Sequence, residues 1–174
     1  MKNIVILIAV LLISIFNIDA QKINTDESIV NFKAGKMKIR SVKGTFAGMK
    51  GNIAFDKDNI KESSFNVCID AASVTTKSEK RDKHLRTEDF FFVEKYPTIC
   101  IQSTKIINKG DGYILMGNLT IRNVTNSVAI PFSFKDNTFI GEFSLNRFDY
   151  EVGKEIGTFL VSEDIDIEII CKIK

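Results

Sequence analysis

The chain has 174 residues and carries 24 Lys and Arg against 22 Asp and Glu, a net charge of +2. That balance argues against a dedicated nucleic-acid binder, which needs a basic excess or stripe. The single histidine excludes a multi-histidine metal centre, and 44% apolar with 26% charged residues describes one folded domain rather than a disordered chain.

The N-terminus stands apart. Lys2 precedes an apolar run from Ile4 to Phe16 broken only by Ser14, and Asp19 and the small Ala20 follow. This predicts a secretory signal peptide over residues 1–20, cut after Ala20. The run is shorter than the roughly 20 residues of a spanning helix. The mature chain, 21–174, is therefore expected in the periplasm or secreted, with no stable membrane insertion after cleavage.

From residue 21 onward there are twenty Ile, nine Val and thirteen Phe but only five Leu. Those residues suit a pleated surface, whereas Leu would dominate a helical bundle. Apolar residues alternate with polar ones through Val30–Ala34, Met37–Ile39, Val42–Phe46, Phe65–Ala71, Ile99–Ser103, Tyr113–Ile121, Val128–Phe134, Phe139–Leu145 and Ile165–Ile173. Period-two alternation gives each strand one wet and one dry face. Lys109–Gly112 and Lys135–Thr138 read as hairpin turns, so the strands form an antiparallel meander. Between the strands, Thr76 to Arg86 is polar and lacks alternation. Thr76 and Glu79 have capping-box spacing, predicting a short helix across one end of the sheet. Phe90, Phe91 and Phe92 follow and exceed what one strand face can hide.

A sheet with one apolar face must bury it, against a second sheet or within its own lumen. A barrel of about eight strands is the size at which side chains fill the interior or leave room for one small ligand. Inward Phe and Ile would suit an alkyl or isoprenoid chain. The alternation leaves a filled core equally open.

The cysteines divide by face. Cys68 and Cys100 lie opposite the apolar faces of strands that flank the helix, and a bridge between them is a candidate disulfide in an exported protein. Cys171 shares the dry face of the last strand and reads as a small buried hydrophobe.

Three segments carry a family resemblance. Ala72–Thr76, then Arg81-Asp82-Lys83-His84-Leu85-Arg86-Thr87-Glu88-Asp89-Phe90-Phe91, then Lys95-Tyr96-Pro97 together resemble the signature of the YceI-like family. Gly117-Asn118-Leu119-Thr120-Ile121-Arg122-Asn123-Val124-Thr125 resembles a second element of it, with Asn123 where glycine is usual. The resemblance implies an all-β fold: an antiparallel eight-stranded lipocalin-like β-barrel with a short helix covering one end. It also implies an apolar pore for a polyisoprenoid, isoprenoid quinone or similar amphiphile. The hairpin at Lys135–Thr138 is shorter than in longer members, which bears on how long a ligand the pore takes.

The expected pore residues are Phe32, Met37, Phe46, Phe55, Val67, Phe90, Phe91, Ile101, Leu119, Phe132 and Phe143. Arg81, His84 and Arg86 are candidate headgroup contacts, since a cationic rim suits a phosphate or quinone oxygen. A solvated helix face salted with Asp82, Glu88 and Asp89 is the other reading of the same residues. The chain has no G-x-S-x-G elbow, phosphate-binding glycine loop or H-E-x-x-H. It is therefore read as a lipid carrier, with no catalytic residue, metal or cofactor assigned beyond a bound isoprenoid or quinone-type lipid. An exported stress-response or interaction module with a filled barrel is the alternative, and a homodimer is a candidate assembly.

Overall fold

The computed structural model describes residues 20–35, 41–156 and 162–174. The expected signal peptide up to residue 19 and the expected pore residue Met37 lie outside the described residues. The strands are β1 (Gln21–Lys22), β2 (Ile29–Ala34), β3 (Val42–Phe46), β4 (Lys50–Ala54), β5 (Ser64–Asp70), β6 (Thr98–Lys109), β7 (Gly112–Ile121), β8 (Val124–Lys135), β9 (Thr138–Asn146) and β10 (Asp164–Lys172), and helix α1 is Glu79–Leu85. All pair antiparallel in one curled sheet of order β1-β4-β5-β6-β7-β8-β9-β10-β2-β3. The run from β5 to β10 is the expected meander. Ten strands appear among the described residues where eight were expected, and the difference arises at the seam. There the short β1, β3 and β4, of two to five residues, continue the pairing. Alternation does not reveal where a chain changes partner.

The seam is stitched at both ends. Ile23 bridges Ile173, and the Lys174 amide donates to the Lys22 carbonyl, tying β1 to the chain end beyond β10. At the other end Thr45 bridges Thr75, tying β3 to the segment after β5.

Local sequence explains the tight turns. Asp136 and Asn137 have φ of 50° and 57°, and Arg122 and Asn123 have 51° and 64°. Two positive φ values in a two-residue hairpin mark the turn whose twist matches the flanking strands. Asn tolerates this left-handed conformation nearly as glycine does, which explains Asn123 at a glycine position.

Cys68 and Cys100 stand directly opposite each other in the β5–β6 register and form a disulfide with a Cα–Cα distance of 4.1 Å. Cys171 is a free thiol, 4% exposed. Burial pushes it up to about 11, with a Ser28 hydrogen bond working against that.

Helix α1 departs from its predicted start. Ser78, not Thr76, precedes it. Thr76 instead donates its amide (2.7 Å) and hydroxyl (2.5 Å) to Oδ1 of Asp82, and the Thr75 hydroxyl donates to Oδ2 at 2.9 Å. Asp82 is thus buried under the helix rather than on its wet face. Burial raises its pKa, but the Thr76 and Thr75 hydrogen bonds and the charge of Arg86 outweigh this and hold it below the usual value. Its contribution to stability is complete above the ordinary aspartate pKa and is lost as pH falls through the lowered native value. Asp82→Asn should cost about 1–3 kcal/mol at neutral pH and flatten the acid limb of a stability-versus-pH curve. Parallel acid limbs for variant and wild type would contradict this assignment.

Candidate functional site: a half-hollow barrel

The dry faces of the strands enclose a cavity of about 350 Å³. Its wall is almost wholly apolar. Val30 and Phe32 of β2, Val67 and Ile69 of β5, Ile99 and Ile101 of β6, Leu119 and Ile121 of β7, Phe143 and Leu145 of β9, and Ile165, Ile167 and Ile169 of β10 all face it. Phe46 lines it from β3. The last residue of α1, Leu85, and the segment after it, with Phe90 and Phe91, cover one end. Of the expected pore residues, Phe32, Phe46, Val67, Phe90, Phe91, Ile101, Leu119 and Phe143 stand on this wall. Gly44, opposite Phe32 in register, makes room for that ring: a Cβ there would lie 2.3 Å from it.

Phe55 and Phe132 are the corrections. Both are buried, at 5% and 8% exposure, but neither borders the cavity. They belong to a knot of rings filling the other half of the barrel. The Phe55 ring lies 5.0–6.1 Å from those of Phe65, Tyr113, Phe132, Phe134 and Phe139. Phe132 stacks on Tyr113 at 5.2 Å, and Phe134 on Phe139 at 4.3 Å. Edge-to-face and offset contacts of this kind add to simple area burial. The interior is therefore hollow under the helix and filled beyond it.

Among the described residues, the charged and hydroxyl-bearing side chains that border the cavity stand at the helix end: Arg81, His84, Arg147 and Tyr150. Nε2 of His84 lies 2.8 Å from Oδ2 of Asp89, and its ring packs edge-on to Phe90 at 5.1 Å. Arg81 and His84 are both exposed on their outer sides. Arg86 does not join them. Its Nε donates to the Ala72 carbonyl at 2.8 Å and its Nη2 to Val74 at 2.7 Å, so it anchors the loop after β5 rather than a headgroup.

Arg147 was not singled out from the sequence. It is 3% exposed and follows β9 in a single 3-10 turn (Arg147–Tyr150). Nε donates to the Ser162 carbonyl at 3.0 Å, Nη1 to Val152 at 2.8 Å and to Gly153, and Nη2 to Ile156 at 2.8 Å. Gly153 has φ +60°, and a Cβ there would come 2.8 Å from Nη1 and 2.7 Å from Phe90. Burial lowers the guanidinium pKa while the nearby Glu163 raises it; the group keeps its charge. Burial also pushes the Tyr150 phenol up, opposed by a hydrogen bond to the Asn126 side chain. The one signal in the sequence was the loss of alternation between Leu145 and Ile165.

Comparison with known proteins agrees with this geometry. A family model described as YceI-like domain matches residues 21–173. A UPF0312 protein of Vibrio campbellii is 31% identical over 150 residues, covering 80% of this chain and 79% of its own. Protein YceI of Escherichia coli is 30% identical over 152 residues, covering 82% and 78%. Among solved structures, BcnA of Burkholderia cenocepacia superposes with a TM-score of 0.80 at 23% identity, covering 86% of this chain and 98% of that one. A polyisoprenoid binding domain from Saccharophagus degradans gives 0.63 at 14% identity, covering 89% and 98%. These structures share the fold.

Proposed function

The chain belongs to the YceI-like domain family, and on that premise we propose that it is an exported binding protein that holds an isoprenoid-type amphiphile in its barrel. The observation carrying this reading is the cavity of about 350 Å³ whose polar side chains, among the described residues, stand at one end. An apolar tail gains about 0.8 kcal/mol per methylene removed from water, before ordering costs. A polar headgroup buried beside Ile101 or Ile167 would lose its hydrogen bonds to water without replacement. The tail therefore points away from the helix, and the headgroup lies near Arg81 and His84. The described Saccharophagus domain, named for polyisoprenoid binding, supports the same class of ligand.

The filled-barrel alternative fits the half occupied by aromatic rings but not the half under the helix. Organic extraction of the purified protein, followed by mass spectrometry, should release an amphiphile. Added geranyl monophosphate should raise the melting temperature of the delipidated protein, because a ligand of the folded state alone stabilises it by mass action. A lipid-free preparation whose melting is unmoved by the ligand would overturn the proposal.

A further inference from the structure

We propose that the outer face of the barrel carries a second site, which binds a phosphate-bearing anion where β3 meets the segment after β5. It lies outside the lumen and goes beyond the lipid-binding reading above.

A polar groove crosses the wet side of β9, β10, β2 and β3, and its two ends differ in charge. Glu142, Asp166 and Glu168 stand at the β9–β10 end, and Lys33, Lys43, Lys77 and Arg81 at the other. Two of the acids are engaged: Asp166 accepts from Ser144 at 2.9 Å and Glu168 from Asn31 at 2.6 Å. The four basic side chains are not. Among the described residues none of them is ion-paired or hydrogen-bonded, although Lys33 stands opposite Asp166 in register. On its other side Lys33 stands opposite Lys43. Like charges set directly opposite each other destabilise a sheet. An anion held between them converts that repulsion into attraction.

The backbone adds a donor. Thr45 exchanges both its hydrogen bonds with Thr75, at 2.9 and 3.0 Å, and Ala47 bonds to Ser73 and Asp70 on the same side. Alternate residues of a strand direct their N–H and C=O toward the same neighbour. Lys43 therefore turns its own toward Lys77, whose φ of 60° takes the chain out of the ladder. The Lys43 amide has no acceptor among the described residues. By the same alternation Lys33 and Lys43 form a non-hydrogen-bonded pair, the kind whose side chains lie closer together. Unpaired cations and an open amide around one groove suit a phosphate group, with about two negative charges and three acceptor oxygens near neutral pH. Arg81 and Val42 border both the groove and the barrel cavity. The phosphate is thus either a free anion or the headgroup of a tail held in the lumen.

The test is calorimetric titration of inorganic pyrophosphate into the purified protein. A Kd below about 1 mM is expected, weakening as salt is added. Lys43→Gln with Lys77→Gln should weaken binding at least about tenfold. Lys109→Gln with Lys135→Gln, which removes the same charge from two distant hairpins, should change it less than about twofold. In the wild type, pyrophosphate should shift the amide NMR signals of Lys43, Gly44 and Lys77 most, a reading that needs no variant. No binding, equal losses in the two double variants, or shifts centred elsewhere would overturn the site. Geranyl diphosphate separates the two sources. Binding at least about tenfold tighter than pyrophosphate supports the site as a headgroup site, and equal binding supports it as a site for the free anion. A lipid-free extract alongside pyrophosphate binding would leave this site standing and count only against the lipid-binding reading.

Discussion

Arg147→Ala is expected to lower the unfolding free energy by about 3–5 kcal/mol. The guanidinium serves the carbonyls of Val152, Gly153, Ile156 and Ser162 from one buried position. Each buried carbonyl left without a donor costs about 1–3 kcal/mol, reduced where water can enter. Arg147→Lys should recover little. An ammonium is a compact point donor and cannot span four acceptors as the planar fork does. The readout is urea unfolding followed by circular dichroism. Because Arg147 and Tyr150 also border the cavity, the alanine variant should weaken prenyl phosphate binding even below its unfolding midpoint. A variant within about 0.5 kcal/mol of wild type, the usual range for surface changes, would show that the loop holds itself without the arginine.

Opening the disulfide is the second large effect. The bridge joins residues separated by 32 positions, and a loop of that size restricts the unfolded chain by about 3–4 kcal/mol. The double variant Cys68→Ala with Cys100→Ala should therefore unfold at a lower urea concentration. Its folded state should change little. Val67 and Ile101 remain paired in the same ladder, and both still face the cavity. Binding of geranyl monophosphate should thus survive wherever the variant is folded. Equal midpoints with and without the bridge would remove this account. Cys171 gives no substitute partner, because it lies on the dry face of β10 and is buried.

The strand pattern was legible because alternation is a local property. β10 reads directly from Ile165, Ile167, Ile169, Cys171 and Ile173, and the facing cysteines follow from the same parity. What parity does not encode is height along the barrel. Phe132 and Phe143 are both inward, yet one belongs to the ring knot and the other to the cavity wall. Only the register of neighbouring strands separates them. The polar residues deceived in the opposite direction. Asp82 and Arg86 look like parts of a charged helix surface, but one accepts hydrogen bonds from two threonines and the other binds carbonyls. Arg147 sits in a stretch without rhythm, where neither period applies. Its role depends on a loop that folds back around it.

The seam has a consequence for how the molecule is made. β2 pairs only with β3 and β10, and Ser28 exchanges hydrogen bonds with Lys172 across a separation of 144 residues. Until β10 has left the ribosome, β2 has no described neighbour but the five-residue β3. Such distant pairing is slow to form and keeps a chain open while it is being synthesised. A polypeptide whose first long strand waits for β10 leaves its barrel open through most of its synthesis.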